Sequence, residues 1–169
     1  DLKLVKYTDD FTQYALGASY EALQQAKLPP KAVDPERLGT IIATGMGGVA
    51  SWEEAYRRLE EGGVKKVSPF MVPRLLPNLA AGNVAISIGA QGPNTALSSA
   101  CAAGGQAIGA AFRSIQLGEA DVMLAGGAEA AITPLTIAGF YRMGALATGY
   151  NELPEAASRP LDQGHAGFV

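Results

Sequence analysis

The chain is poor in the residues that build disulfides and metal centres. Its 169 residues include one cysteine, Cys101, and one histidine, His165. A single cysteine cannot form an internal disulfide, which favours a reducing compartment without excluding others. One cysteine and one histidine also leave no cluster with the spacing of a metal site. We therefore expect a fold stabilised by its buried core, with no metal and no cofactor.

Charged residues are also scarce, and basic residues are not in excess over acidic ones. Charged residues make up 17% of the chain and the formal net charge is −3. This balance provides no broad basic surface of the kind that nucleic acid or an anionic membrane requires. No uncharged apolar run reaches the length of a membrane span, and the opening DLKLVKYTDDF lacks the apolar centre of a signal peptide. We expect no nucleic acid and no membrane among the partners.

Hydrophobic residues, at 48%, are arranged in short runs that alternate with helical patterns. The patterns predict strands over 38–45, 94–100 and 120–127, and helices over 9–26, 51–59, from 78, 101–117 and 134–143. Ser51 with Glu54 indicates a capping box for the second helix. Alternating strands and helices predict an α/β fold with a mainly parallel sheet that helices cover on both faces. Because the chain opens before a helix and stops within the apolar AGFV, we expect residues 1–169 to be one partial domain, incomplete at both ends.

Cys101 falls where a strand turns into a helix rich in alanine and glycine. The unsatisfied N–H groups and the dipole at a helix N-terminus favour a thiolate, which is the nucleophilic form of cysteine. Gly104, Gly105 and Gly109 would let a backbone or a substrate approach the first turns. The same pattern also suits a cysteine that is a small buried hydrophobe. Spacing alone leaves both interpretations open.

Several stretches, spread over nearly the whole chain, resemble a known family. They are NTALSSACAAGGQAIGAAFRSIQLGEADVMLAGGAEAAITPL, GTIIATGMGGVASWEE, KKVSPFMVPRLLPN and ASRPLDQGHAGFV. The family is the β-ketoacyl-[acyl-carrier-protein] synthases, the type II condensing enzymes of fatty acid synthesis. The resemblance implies a thiolase-like fold of layered α-β-α type. It also implies an acyltransferase that loads an acyl group on a cysteine and condenses it with malonyl carrier to give 3-oxoacyl carrier.

The resemblance also implies a role for particular residues. Cys101 matches the acyl-accepting nucleophile, and its N–H would be one donor to the oxyanion. Met46 and Phe140 match residues that line the acyl pocket, although both residue types are also ordinary core. Lys65 and Lys66 match basic residues that meet the acidic carrier protein with its phosphopantetheine arm, although paired lysines are often only solvated surface. Lys3 and Lys6 would extend that patch.

Two departures from the family follow. The usual Arg-Asp-Gly-Phe-Val is HAGFV here, with His165 for a basic residue and Ala166 for an acidic one. The two histidines and the lysine that handle malonyl in the family belong to a C-terminal half, so we expect this chain alone to be acylated at most. The resemblance further implies a homodimer at full length, in the cytoplasm of a bacterium or in a plastid or mitochondrion.

Three alternatives stay open. GMGGVA, residues 45–50, fits a dinucleotide-binding turn after a strand, although Lys65 and Lys66 stand where an acidic residue is expected. The chain could instead be a non-catalytic unit that serves in dimerisation. Thiolase itself shares the plan of a cysteine at a helix start.

Overall fold

A computed structural model describes residues 4–169. The chain divides into two compact units, Asp1–Ala131 and Ile132–Val169. The first unit contains the sheet and most of the helices. The expectation of one partial domain over residues 1–169 stays a prediction.

The sheet of the first unit has three parallel strands, β1 (Leu38–Ala43), β2 (Asn94–Thr95) and β3 (Val122–Gly127), in the order β2-β1-β3. All six residues of the central β1 are buried, which agrees with its mostly apolar sequence. β1 and β3 pair along their whole lengths, from Leu38 with Val122 to Ala43 with Gly127. The predicted strands 38–45 and 120–127 are confirmed. The predicted strand 94–100 is too long, because the chain leaves the ladder after Thr95 and bends into a turn.

Within residues 4–169, six α-helices accompany the strands: α1 (Asp10–Gln25), α2 (Val49–Gly62), α3 (Met71–Leu75), α4 (Leu79–Ile88), α5 (Ala103–Gln116) and, in the second unit, α6 (Pro134–Arg142). All five predicted helices are present with shifted ends. The short α3 was not predicted, because its segment carries three prolines. Pro73 is tolerated there since it lies in the first turn, where the missing N–H has no helical acceptor.

Helices cover both faces of the sheet in the first unit. On one face, Ile42 packs with Phe11 of α1 and Val84 of α4. On the other face, Ile41 packs with Ala103 and Ala107 of α5. Neighbouring residues of β1 point to opposite sides, as the two-residue period of a strand requires. The predicted α-β-α layering is therefore present.

The buried face of α5 consists of alanine. Ala103, Ala107 and Ala111 lie against the sheet, whereas the larger Ile108 and Phe112 are 60% and 61% exposed. Small side chains let the helix axis approach the strands closely. A Cβ on Gly127 of β3 would lie only 3.1 Å from the Cα of Gly104 in α5. The glycine and alanine residues of this region thus set the distance between α5 and the sheet.

The predicted capping box of α2 is wrong. The helix begins at Val49, its N-cap is Gly48, and no side chain caps it. Ser51 instead donates its N–H (3.1 Å) and its hydroxyl to Oδ2 of Asp9, which is 1% exposed. Oδ1 of Asp9 also accepts the N–H of Phe11 and so caps α1. A tertiary partner has replaced the local cap, and one buried carboxylate joins the starts of two helices.

An ion pair fixes the start of the paired strands. Nη2 of Arg37 lies 2.6 Å from Oδ1 of Asp121, and Nη1 donates to the carbonyl of Gly118 at 2.6 Å. The hydrogen bond from Arg37 holds the pKa of Asp121 below its ordinary value. Because Asp121 is exposed and the side chain of Arg37 is 34% exposed, the pair fixes position more than it adds stability.

In the second unit, Ile132–Val169, α6 begins with a capping box between Thr133 and Thr136. The apolar AGFV, residues 166–169, contributes a single bridge, between Leu146 and Phe168. Phe168 also contacts the ring of Phe140 edge to face, with centroids 5.5 Å apart. Among residues 4–169, no helix combines the length and the apolar character that crossing a bilayer requires.

The contact between Gly127 and α5 predicts an asymmetry between neighbouring glycines. In Gly127→Ala the new methyl meets the backbone of Gly104 at 3.1 Å, and we expect a loss of about 1–3 kcal/mol in unfolding free energy. Gly126→Ala is the matched control, since its methyl meets nothing within 4 Å. Urea denaturation of the two variants should separate them. Equal stability would show that α5 does not pack this closely on β3.

Candidate active site

The carboxyl ends of the three parallel strands meet at one edge of the sheet. The segments that leave this edge are the 44–48 loop after β1, residues 96–102 after β2 and residues 128–131 after β3. We call residues 98–102, where the chain turns from β2 into α5, the elbow. In open α/β sheets, ligands bind outside the carboxyl ends of the strands. The candidate site is therefore at this edge.

Glu129 fixes the 44–48 loop. Its Oε1 accepts the hydroxyl of Thr44 at 2.9 Å. Its Oε2 accepts the backbone N–H groups of Gly45 at 2.8 Å and of Met46 at 2.9 Å. The hydroxyl oxygen of Thr44 in turn accepts the N–H of Gly47 at 3.1 Å. One carboxylate thus determines the path of the chain from Thr44 to Gly47.

The elbow contains a residue in the left-handed region. Ala100 has φ +50°, a conformation that costs a non-glycine residue about 1–2 kcal/mol. The turn continues with the N–H of Ala102 donating to the carbonyl of Ser99 and that of Ala103 to the carbonyl of Ala100, both at 3.1 Å. α5 begins at Ala103 with no side-chain cap. Cys101 lies two residues before this helix.

The loop and the elbow are in direct contact. Ser98 donates its hydroxyl to the carbonyl of Gly45 at 3.3 Å, and the N–H of Thr44 donates to the carbonyl of Leu97 at 3.3 Å. A Cβ on Gly45 would lie 3.5 Å from the Cα of Ala100 and 2.8 Å from Oε2 of Glu129. Only glycine at position 45 leaves room for this arrangement. The contacts bring the segments of Met46 and Cys101 together.

The structure places the predicted site residues in two units. Cys101 is exposed and Met46 is 43% exposed, so neither is part of the buried core. Lys65 and Lys66 are exposed on a short 3₁₀ helix, Val64–Lys66, after α2. Phe140 belongs to the second unit, where it is half-buried beside Phe168.

The glycines after Cys101 differ in how closely other backbone approaches them. Of the glycines after Cys101, Gly104 makes a close backbone approach, to Gly127, whereas a methyl group added at Gly105 or Gly109 would meet nothing within 4 Å. His165 lies in the second unit, with Nδ1 3.0 Å from the carbonyl of Asp162. Lys3 lies outside the described residues.

The geometry argues against a dinucleotide site at residues 45–50. A pyrophosphate needs free backbone N–H groups at the turn before the helix. Glu129 already occupies the N–H groups of Gly45 and Met46, and its negative charge would repel a phosphate. The hydrogen bonds to Glu129 therefore fix this loop and make it unsuited to binding an anion.

Glu129 is the functional residue that sequence reasoning missed. It follows β3 by two residues, so it leaves the sheet at the same edge as Cys101. The signal available was an acidic residue directly after a buried strand. That signal does not say which backbone groups the carboxylate will contact.

Comparison with known proteins identifies a family whose model the chain matches. Residues 2–169 match the model of the family described as β-ketoacyl synthase, N-terminal domain. A 3-oxoacyl-[acyl-carrier-protein] synthase 2 of Staphylococcus aureus is 45% identical over 169 residues, which are 100% of this chain and 41% of that relative. The enzyme of the same name from Synechocystis is 44% identical, over 100% of this chain and 40% of its own length. The chain spans about two fifths of these relatives.

Two solved structures share the fold. One is a type II PKS acyl-carrier protein in complex with its ketosynthase bound to the hexaketide, with TM-score 0.88, 35% identity, and coverage of 94% of this chain and 40% of that one. The other is a β-ketoacyl synthase from Burkholderia phymatum, with TM-score 0.84, 30% identity, and coverage of 99% and 41%. These ketosynthases have the thiolase-like fold, which confirms the predicted fold class.

The exposed thiol at the elbow predicts rapid labelling. Iodoacetamide should modify Cys101 stoichiometrically in the native protein, because this residue is exposed in the first unit. Intact mass spectrometry follows the reaction, and Cys101→Ser, which leaves this chain without a thiol, is the control. Labelling that appears only after denaturant is added would show that the thiol is enclosed in the native state.

Proposed function

The chain belongs to the family described as β-ketoacyl synthase, N-terminal domain, and from that membership we propose that the protein is a 3-oxoacyl-[acyl-carrier-protein] synthase that accepts its acyl group on Cys101. The observation that carries the proposal is the exposed thiol of Cys101 on a strained elbow, two residues before α5. A nucleophile presented on a sharp turn between a strand and a helix is accessible to a substrate from the carboxyl edge of the sheet.

The acyl transfer is a thioester exchange. The thiolate of Cys101 attacks the carbonyl carbon of the acyl-phosphopantetheine thioester, and the carbonyl oxygen becomes an oxyanion. The pantetheine thiolate then leaves and takes up the proton that Cys101 gave up, so one thioester replaces another. The N–H of Cys101 is a suitable donor to the oxyanion, and the N-terminal end of α5 favours negative charge beside it.

The condensation uses the acyl group on Cys101 as the electrophile. Loss of CO₂ from a malonyl thioester leaves a carbanion, which attacks the acyl carbonyl and forms the new carbon–carbon bond. The thiolate of Cys101 is the leaving group, and the product is a 3-oxoacyl thioester on the carrier. Within this chain we assign Cys101 the roles of acyl acceptor and leaving group.

Met46 and Phe140 are proposed as residues that line the acyl pocket. For Met46, the role is supported by its place in the 44–48 loop, where Glu129 accepts its backbone N–H and fixes the backbone. A methionine side chain adapts to irregular apolar ligands. Phe140 supports the role as a half-buried aromatic at a position that matches the family's pocket wall.

Lys65 and Lys66 are proposed to bind the acyl carrier protein. Both are exposed on the 3₁₀ helix that follows α2, and lysines on an otherwise acidic chain attract an acidic partner. One structural relative is a ketosynthase in complex with its acyl-carrier protein, which supports this class of partner.

We further propose a homodimer, located in the cytoplasm if the source is bacterial and in a plastid or mitochondrion if it is eukaryotic.

Acyl transfer to Cys101 is tested by mass spectrometry. The complete gene product is incubated with octanoyl carrier protein, and the peptide that contains Cys101 is analysed. We expect the mass of one octanoyl group on this peptide, removable by hydroxylamine, since a thioester is cleaved by that nucleophile. Addition of malonyl carrier should then release the group as 3-oxoacyl carrier.

The control is Cys101→Ala, which removes the nucleophile from an exposed position and should leave the fold intact by circular dichroism. We expect both acylation and 3-oxoacyl formation to disappear, because alanine at position 101 cannot form a thioester. Product formation at the unaltered rate in Cys101→Ala would contradict the proposed function.

A further inference from the structure

We propose that Glu129 is a positioning residue that determines, through Met46, the longest acyl chain that the site accepts. The proposal rests on the proposed function, in which Met46 lines the acyl pocket, and deepens it by naming what decides the length of the substrate. Glu129 follows β3 by two residues and reaches the 44–48 loop through its side chain. Contacts on three sides of that loop hold Met46 in position.

Glu129 holds the N–H groups of the loop. Its Oε2 accepts the N–H of Gly45 at 2.8 Å and the N–H of Met46 at 2.9 Å. Because these two consecutive amides donate to one oxygen, the backbone torsions of Gly45 between them are restricted. Hydrogen bonds to an ionised carboxylate are also shorter and stronger than those to a neutral group. Glu129 therefore fixes the direction in which the chain enters Met46.

Ser98 holds the carbonyl side of the same peptide. Its hydroxyl donates to the carbonyl of Gly45 at 3.3 Å. That carbonyl and the N–H of Met46 belong to one planar peptide unit, and they point in opposite directions. Glu129 accepts at one end of this unit and Ser98 donates at the other. The plane of the unit therefore cannot rotate without breaking a hydrogen bond.

The helix α3 limits the loop beyond Met46. The N–H of Gly48 donates to the carbonyl of Leu75 at 3.2 Å, and a Cβ on Gly48 would overlap the carbonyl oxygen of Arg74. Gly47 has φ +72°, a conformation that glycine adopts without strain. The chain after Met46 is therefore packed against the end of α3.

These contacts fix the backbone of Met46 more firmly than packing fixes its side chain, which belongs to a residue 43% exposed. A methionine side chain adapts to a ligand by rotation about its own bonds, but its Cα stays where the loop holds it. Each further methylene of an acyl chain gains affinity only until the chain reaches Met46. A longer chain then requires the loop to move and its hydrogen bonds to Glu129 to break.

The test measures the binding of acyl chains of increasing length to the complete gene product. Acyl amides of N-acetylethylenediamine, from six to sixteen carbons, carry nitrogen in place of the thioester sulfur, so they bind without being transferred to Cys101. Calorimetry gives the Kd for each length. In the wild-type protein, the length ratio is the Kd of the first chain that binds more weakly than the one before it, divided by the Kd of the one before it. The same two chains are then used for every variant.

Three variants are compared with the wild-type protein. Glu129→Gln keeps the size of the side chain and removes its charge. Glu119→Gln is the matched control, because it makes the same change at an exposed position before β3, at the opposite edge of the sheet. Ser98→Ala removes the hydroxyl that holds the other side of the peptide. Circular dichroism checks that each variant is folded.

We expect the length ratio to fall about fivefold in Glu129→Gln, because a neutral side chain holds the two N–H groups less firmly and Met46 can yield to the longer chain. Ser98→Ala should lower the ratio about twofold, and Glu119→Gln should leave it unchanged. A general loss of structure would weaken the binding of every length by the same factor and would not change the ratio.

An unchanged length ratio in Glu129→Gln would overturn the proposal. The absence of binding in the wild-type protein, or a wild-type affinity that rises over the whole series, would also overturn it. If Glu129→Gln does not fold, Ser98→Ala decides by the same criterion.

A Met46→Ala background tests whether Glu129 acts through Met46. Alanine is too short to limit the chain, so we expect Glu129→Gln to change the length ratio by less than about 1.5-fold in this background. The full fivefold fall in the absence of the methionine side chain would show that Glu129 acts by another route, and would contradict the proposal.

The amides separate this proposal from the proposed function, because their binding does not depend on acyl transfer. If octanoyl carrier protein fails to acylate Cys101 while the length ratio responds to Glu129→Gln, the proposed function fails and the role of Glu129 stands. If Cys101 is acylated while the ratio is unchanged in Glu129→Gln, the proposed function stands and the role of Glu129 fails.

Discussion

The contact between the carboxylate of Glu129 and the backbone of the 44–48 loop is the constraint on which the arrangement of the site depends. It exists because β1 and β3 pair in parallel with Ala43 opposite Gly127. That register places Glu129, two residues after β3, beside Thr44, Gly45 and Met46. Two segments more than 80 residues apart in sequence are therefore joined at the edge where the thiol lies.

Close packing of small residues carries that constraint to Cys101. Gly45 lies against Ala100, the strained residue directly before the cysteine. On the other side of the elbow, Gly104 at the start of α5 meets Gly127 at the end of β3. A bulkier residue at any of these points would separate the loop, the elbow and the helix. The backbone contacts on both sides of the elbow thus position Cys101.

Much of the fold could be predicted from the sequence because its strongest signals are local. The buried β1 is a short, mostly apolar run, and α1 shows the three- and four-residue spacing of an amphipathic helix. The position of Cys101 at a turn before a helix was predictable for the same reason. Its exposure was not, because that depends on the left-handed backbone of Ala100 and on what packs around the elbow.

The features that sequence reasoning missed all depend on tertiary contacts. Ser51 has the local pattern of a capping residue, yet it bonds to Asp9 from a different helix. From the sequence alone, Glu129 resembles an ordinary acidic surface residue, because its partners are apparent only once the strand register is known. Patterns within one segment carry no information about such partners.

Amide hydrogen exchange at Gly45 and Met46 tests the role of Glu129 most directly. In the wild-type protein both amides donate to the carboxylate, so they should exchange slowly although they lie in a surface loop. In Glu129→Gln both should exchange about tenfold faster or more, while Ile42 within β1 keeps its protection. Fast exchange at Gly45 and Met46 in the wild type, or no change in the variant, would contradict the account.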